Sequence, residues 1–156
     1  MKIMLNARLK WYLDKEKLLP KHQAGFRSGF TTADHIIYQE AYVKMGFNKN
    51  KITTAVFLDL TKAYDHTWHV GLLYKLTKMN VGGTTILWLK NFLQDRTITV
   101  RSNNAYSDTR TLTKEVPQGS VLSPLLFNVM MSDFPHPDNI ESVDTFKFLF
   151  KALISY

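Results

Sequence analysis

Residues 53–65 read TTAVFLDLTKAYD and place a single carboxylate at the end of an apolar run. Ala55, Val56, Phe57 and Leu58 carry no polar side-chain group, which predicts a short central strand covered on both faces. Asp59 interrupts the run. An ionised carboxylate at such a strand end loses hydration and persists only where a cation, a metal or hydrogen-bond donors compensate it. Lys51 is the nearest cation before it and Lys62 the first after it, while Asp65 adds a second acid. Carboxylates gathered at a strand end suit a hard cation such as Mg²⁺, which is held by one or two carboxylates together with substrate phosphates. Taken by itself, an aspartate in this position reads first as a cap of the turn that follows the strand, and only its context favours the metal.

Around that stretch, 156 residues with 45% hydrophobic and 13% aromatic content are enough for one domain with a real core, and they exclude disorder. The 20 Lys and Arg outnumber the 13 Asp and Glu, for a formal charge of +7 and a pI near 9.6, as expected of a chain that meets phosphate backbones. The absence of cysteine removes disulfides, thiolate zinc sites and cysteine nucleophiles, and it agrees with an intracellular protein without distinguishing nucleus from cytoplasm. The N-terminal MKIMLNARLKWYLDKEK is cut by charges every few residues, so neither a signal peptide nor a membrane partner is expected.

Before the strand, Ile3, Leu5, Leu9, Tyr12 and Leu13 recur at helical spacing and predict a basic helix that runs out toward Pro20. In QAGFRSGFTT, residues 23–32, Gly25 and Gly29 flank Arg27. Such a loop either lets a guanidinium approach a phosphate or is an ordinary glycine loop with a solvated arginine. Thr31 and Asp34 form a capping-box pattern, and Ala33, Ile36, Ile37, Tyr38, Ala41 and Tyr42 then make an apolar stripe expected to pack on the sheet. GFNKNK at 46–51 is expected to stop that helix.

After the strand, Val70, Leu72, Leu73, Leu76 and Met79 predict a helix over about 67–79. NVGG breaks it, and Thr84 or Thr85 is expected to cap a second helix over 86–93, with Trp88 and Phe92 in the core. Alternation across 97–113 predicts a hairpin that turns at SNNAY. The proline-bounded loop KEVPQGSVLSP, 114–124, leads into a buried helix that starts at Ser123 and Pro124 and ends by PHPDN at 135–139. Residues 143–156 suit a strand or two-stranded ribbon, and the mixed order of elements indicates an α+β fold.

Three of these stretches, QAGFRSGFTTADHI, AVFLDLTKAYD and VPQGSVLSPLLFNVMMSD, occur in the order and spacing of one family. Together they resemble the fingers and palm of a reverse transcriptase of the non-LTR retrotransposon type, over about residues 5–148. The resemblance implies fingers within 1–52 and a partial palm within 53–156, as one compact unit without a thumb. It implies RNA-templated DNA synthesis by two-metal nucleotidyl transfer, with Asp59 as catalytic and magnesium-binding carboxylate and the Leu60 carbonyl as a further ligand. By the same resemblance Tyr64 screens the sugar 2′-position of the incoming deoxynucleotide triphosphate, Gln118 and Gly119 contact nucleotide or template, and Arg27 meets the triphosphate. Read from the residues alone, Tyr64 is a core aromatic and Gln118 a loop amide. The implied partners are an RNA template, a DNA primer and their hybrid.

The family's next signature, a hairpin with two adjacent aspartates, should follow soon after residue 133. TFKFLFKALISY stands at 145–156 instead, and the chain holds no Asp-Asp pair. Asp138, Glu141 and Asp144 are the only later acids, and none has the motif's surroundings. The expectation is therefore a truncated reverse-transcriptase-like domain that is inactive as this chain stands. The alternative is a non-catalytic, nucleic-acid-binding relic of a retroelement.

Overall fold

The computed structural model describes residues 1–21, 23–53, 56–58, 60–134 and 148–150, with the backbone alone at 56–58 and 148–150. Asp59, PHPDN at 135–139 and all of the 143–156 ribbon except 148–150 lie outside the described residues.

Helix α1, Lys2–Lys15, turns Leu9 and Leu13 inward, as its apolar spacing predicts. It ends before Pro20, on its own backbone: Leu18 N–H reaches Leu13 O at 2.9 Å and Lys17 N–H reaches Asp14 O at 3.2 Å, with Lys17 at φ 53°. This is a Schellman cap with a lysine where glycine is usual. Helix α2, Thr32–Asn48, starts on the expected capping box: Asp34 N–H donates to the Thr31 hydroxyl at 3.3 Å, and Thr31 N–H donates to the Asp34 carboxylate at 2.6 Å. Those Thr31 donors hold the Asp34 carboxyl below its usual 3.8, the backbone N–H contributing most. The 46–51 stretch stops α2 as expected, at Asn50 with φ 50°, and Lys51 N–H returns to Gly46 O at 2.9 Å.

Of the sheet on which α2 is expected to pack, only the backbone of 56–58 and 148–150 is described. None of the helix's described residues is buried, and Ile36, Ile37 and Phe47 are more than half exposed. Strand β1, Val56–Leu58, pairs in parallel with the late strand β6, Phe148–Phe150.

Helix α3, His69–Lys78, and helix α4, Gly83–Leu93, form where their stripes predict helices, and they pack against each other. Neither Thr84 nor Thr85 caps α4. Gly82 is the N-cap, and its carbonyl takes the Thr85 and Ile86 N–H groups at 2.9 and 3.1 Å, so the helix begins before either threonine. Trp88 and Phe92 stack at 5.4 Å and pack against the core, as expected. The hairpin pairs β2, Arg96–Ile98, with β5, Arg110–Leu112, and β3, Arg101–Ser102, with β4, Ala105–Tyr106. It turns between Ser102 and Ala105, within the predicted SNNAY.

Helix α5, Ser123–Met130, is the centre of the core. Leu122, Leu125, Leu126 and Val129 meet Leu72 and Leu76 of α3, Leu89 and Leu93 of α4, and Leu9 and Leu13 of α1 in one cluster. Each such leucine is worth about 1.5–3 kcal/mol of burial, so the four helices hold one another. Lys75 of α3 ties the end of α5, donating to Met130 O and to the Asp133 carboxylate.

Candidate functional site

The residues after Leu60 wind into turns. His66 N–H bonds Lys62 O at 3.1 Å, Thr67 N–H bonds Tyr64 O at 3.3 Å, and the buried Thr67 hydroxyl reaches Ala63 O at 3.3 Å. This winding places the half-buried Tyr64 ring edge-on to Phe127 of α5, with centroids 5.5 Å apart and planes at 75°. The polar loop before α5 runs alongside and is bonded to the same turn. Val116 N–H reaches Tyr64 O and Glu115 N–H reaches Thr67 O, both at 3.1 Å, while His69 Nε2 donates to Glu115 O. Gln118 Nε2 donates to Asp65 Oδ1 at 2.9 Å. Residues 64–67 and 115–118, 53 positions apart at the Asp65–Gln118 pair, thus form one bonded unit.

A tight turn presents Gln118. Ser120 N–H bonds Pro117 O at 3.1 Å, and Gly119 has φ 80°, the value of the third residue of a type II turn. A Cβ on Gly119 would meet nothing within 4 Å, so glycine is required there by its dihedral angle and not by space. Ser123 of α5 anchors the turn by donating its hydroxyl to Pro117 O at 2.6 Å.

Arg27 stands at the other end of α5, in the glycine loop. Its guanidinium donates to Pro20 O at 2.9 Å, Gln23 O at 3.2 Å and the Asp14 carboxylate at 3.3 Å, and it lies over the Phe30 ring. All three bonds run to the end of α1 and its loop. Gln23 Nε2 donates to Asn128 O at 2.9 Å, and Asn128 Nδ2 donates to Gly25 O at 2.7 Å, which docks the loop on α5.

Sequence reasoning missed His69, Asn128 and the partnership of Asp65. Asn128 was legible as the one amide inside the apolar LLFNVMM, since a buried amide demands partners. His69 and Asp65 gave no such signal, because their partners come from a distant loop.

Asp59 lies outside the described residues, and Leu60 is described with its side chain part-exposed. Among the described residues no group of three His, Asp or Glu side chains stands together as a metal ion needs. Asp65 has one carboxylate oxygen taken by Gln118. Among the described residues, too, no helix is long and apolar enough to cross a membrane.

The sequence profile described as "Reverse transcriptase (RNA-dependent DNA polymerase)" matches residues 1–143. The chain belongs to the reverse transcriptase family. It is 37% identical over 146 residues, 94% of its length, to a probable RNA-directed DNA polymerase from transposon BS of Drosophila melanogaster. It is 34% identical over 143 residues, 92% of its length, to the RNA-directed DNA polymerase from mobile element jockey of the same organism, and 31% identical over 135 residues to that of transposon X-element. These relatives support a reverse transcriptase domain of the non-LTR retrotransposon type, and mixed helices with small sheets agree with an α+β fold. The chain spans only 15–16% of the length of these curated relatives. No solved structure matches it significantly.

Proposed function

We propose that this chain is a fingers and partial-palm portion of an RNA-templated DNA polymerase and that the bonded unit of 64–67 and 115–118 is its nucleotide site. In this proposal residues 1–52 supply the fingers and 53–156 the palm part. Asp59 and the Leu60 carbonyl are the magnesium ligands, Tyr64 excludes the ribose 2′-hydroxyl of an incoming nucleotide, and Gln118 with Gly119 meets the template or nucleotide. RNA and DNA differ there by a single hydroxyl, so an aromatic wall is a sufficient discriminator. What carries the proposal is the direct bonding of two distant motifs, Tyr64 to Val116 and Asp65 to Gln118. Arg27 reaches a triphosphate only by exchanging Asp14 for phosphate oxygens, an exchange its guanidinium geometry allows.

The polypeptide by itself extends no primer. Phosphoryl transfer gathers negative charge on the attacking and leaving oxygens, and the loss of one electrostatic stabiliser typically costs about 10²–10³ in rate. This sequence holds no aspartate pair to complete the Asp59 ligand set. That absence favours a second reading, a non-catalytic domain that binds RNA or an RNA–DNA hybrid through its basic surface. Primer extension on poly-rA, with magnesium and with manganese, beside an Asp59→Ala variant, tests both. The expected result is no extension by either chain, with hybrid binding that weakens as salt rises through counterion release. Extension by the unaltered chain that the variant abolishes would refute inactivity, and salt-independent binding would refute the phosphate-dominated surface.

A further inference from the structure

Asp65 is the acid of the LTKAYD stretch that the magnesium reading does not use. Its side chain is half-buried on the wound turn after Leu60, and its Oδ1 receives the Gln118 Nε2–H at 2.9 Å. We infer that Asp65 is a positioning residue: its carboxylate holds the Gln118 side-chain amide in one orientation, with the nitrogen inward and the oxygen outward, and so sets which hydrogen-bonding groups the loop offers to a bound nucleotide or template strand. The inference rests on the proposal that Gln118 is a nucleotide or template contact.

The chemistry is one of polarity. An amide side chain is close to symmetric in shape, and either end fits a given space; only its partners decide which end points where. An ionised carboxylate accepts hydrogen bonds and donates none, so the amide nitrogen must face Asp65. Gln118 is then left with its Oε1 as acceptor and its second N–H as donor for a ligand. Without Asp65 both orientations of the exposed amide are open, and half of them present the wrong group.

The surrounding bonds make this hold specific. Val116 to Tyr64, Glu115 to Thr67 and His69 to Glu115 O fix the loop backbone on the turn without help from Asp65. The Pro117–Ser120 turn, with Gly119 at φ 80° and Ser123 at its base, fixes the Gln118 backbone. Five hydrogen bonds therefore bring the Gln118 backbone into reach without Asp65, which holds only the side-chain amide. Replacing Asp65 should leave the loop in place and free the amide alone.

The test uses the 156-residue chain with a poly-rA/oligo-dT hybrid as probe. The side-chain ¹⁵N–¹H pair of Gln118 is assigned by its loss in Gln118→Ala. In the unaltered chain one of its two protons is expected downfield and protected from exchange; Asp65→Ala collapses the pair toward the positions of a free glutamine, and Asp65→Glu, which keeps the acceptor, restores the downfield proton. Asp65→Asn preserves size but can donate as well as accept, so it is expected to give two amide populations. Hybrid affinity is measured in a double-mutant cycle. Asp65→Ala is expected to weaken binding about 2–10-fold, the range of one ordinary hydrogen bond, and to add nothing in the Gln118→Ala background. An unchanged Gln118 amide pair in Asp65→Ala, or equal weakening in both backgrounds, would overturn the positioning role while leaving Gln118 as a contact. Undiminished hybrid binding by Gln118→Ala would remove Gln118 from the nucleotide site and the positioning role with it. Thermal unfolding of each variant separates these outcomes from misfolding, and the Glu variant carries the test should Asp65→Ala unfold.

Discussion

Gly119→Ala isolates the backbone strain that presents the candidate site. The added methyl meets nothing within 4 Å, so there is no steric clash to count. What remains is the dihedral angle: φ 80° costs an L-residue about 1–2 kcal/mol. Against it stands the loss of unfolded-chain freedom on replacing glycine, worth about 0.4–1 kcal/mol in the opposite direction. The net destabilisation is about 0.5–1 kcal/mol, or a fall in Tm of about 1–4 °C for a domain of this size. Gly25→Ala is the control, since it also meets nothing within 4 Å and carries no left-handed φ. There the strain vanishes and the entropy remains, so the same substitution is neutral or stabilising. Asparagine tolerates the left-handed region better than alanine does, and Gly119→Asn should fall between them. Urea unfolding of the three variants beside the parent decides the matter. Equal stability of the Gly119→Ala and Gly25→Ala chains would refute the turn and its role in presenting Gln118.

Leu126→Ala empties the middle of the four-helix cluster, where the side chain is fully buried, and should cost about 2–5 kcal/mol by urea denaturation; a loss under 1 kcal/mol would place the core elsewhere. Lys17→Gly relieves a left-handed lysine in the Schellman cap of α1 and should raise stability by about 0.5–1 kcal/mol, read as a higher urea midpoint with unchanged slope. Thr31→Ala removes the capping box and should cost about 1 kcal/mol, with the loss of α2 helicity visible by circular dichroism. Because Asp34 has a folded pKa below its usual 3.8, the stability it adds is complete above that value and fades as pH falls through the lower folded one. Asp34→Asn should therefore show a shallower acid loss than the parent below about pH 4, and identical curves would deny the Thr31 bonds.

The sequence by itself determined what depends on neighbours along the chain. The capping box of α2 needs only Thr31 and Asp34, the hairpin only alternation and SNNAY, and the buried character of α5 only the density of LLFNVM; all three are present in the structure. The family was legible for the same reason, since three short motifs in order need no folding to be read. Tertiary structure decided what depends on distant partners. The apolar stripe of α2 is correctly periodic yet leaves Ile36 and Ile37 more than half exposed, because periodicity names a face and does not fix how deeply it is buried. Arg27, flanked by glycines in the sequence, is bound to Asp14 and two carbonyls, because α1 ends beside the loop. Asp65 and Gln118 stand 53 residues apart, and no local rule pairs them. Hydrogen bonds between turns are set by where the leucines of α1, α3, α4 and α5 find one another, and that hydrophobic collapse is a property of the whole chain.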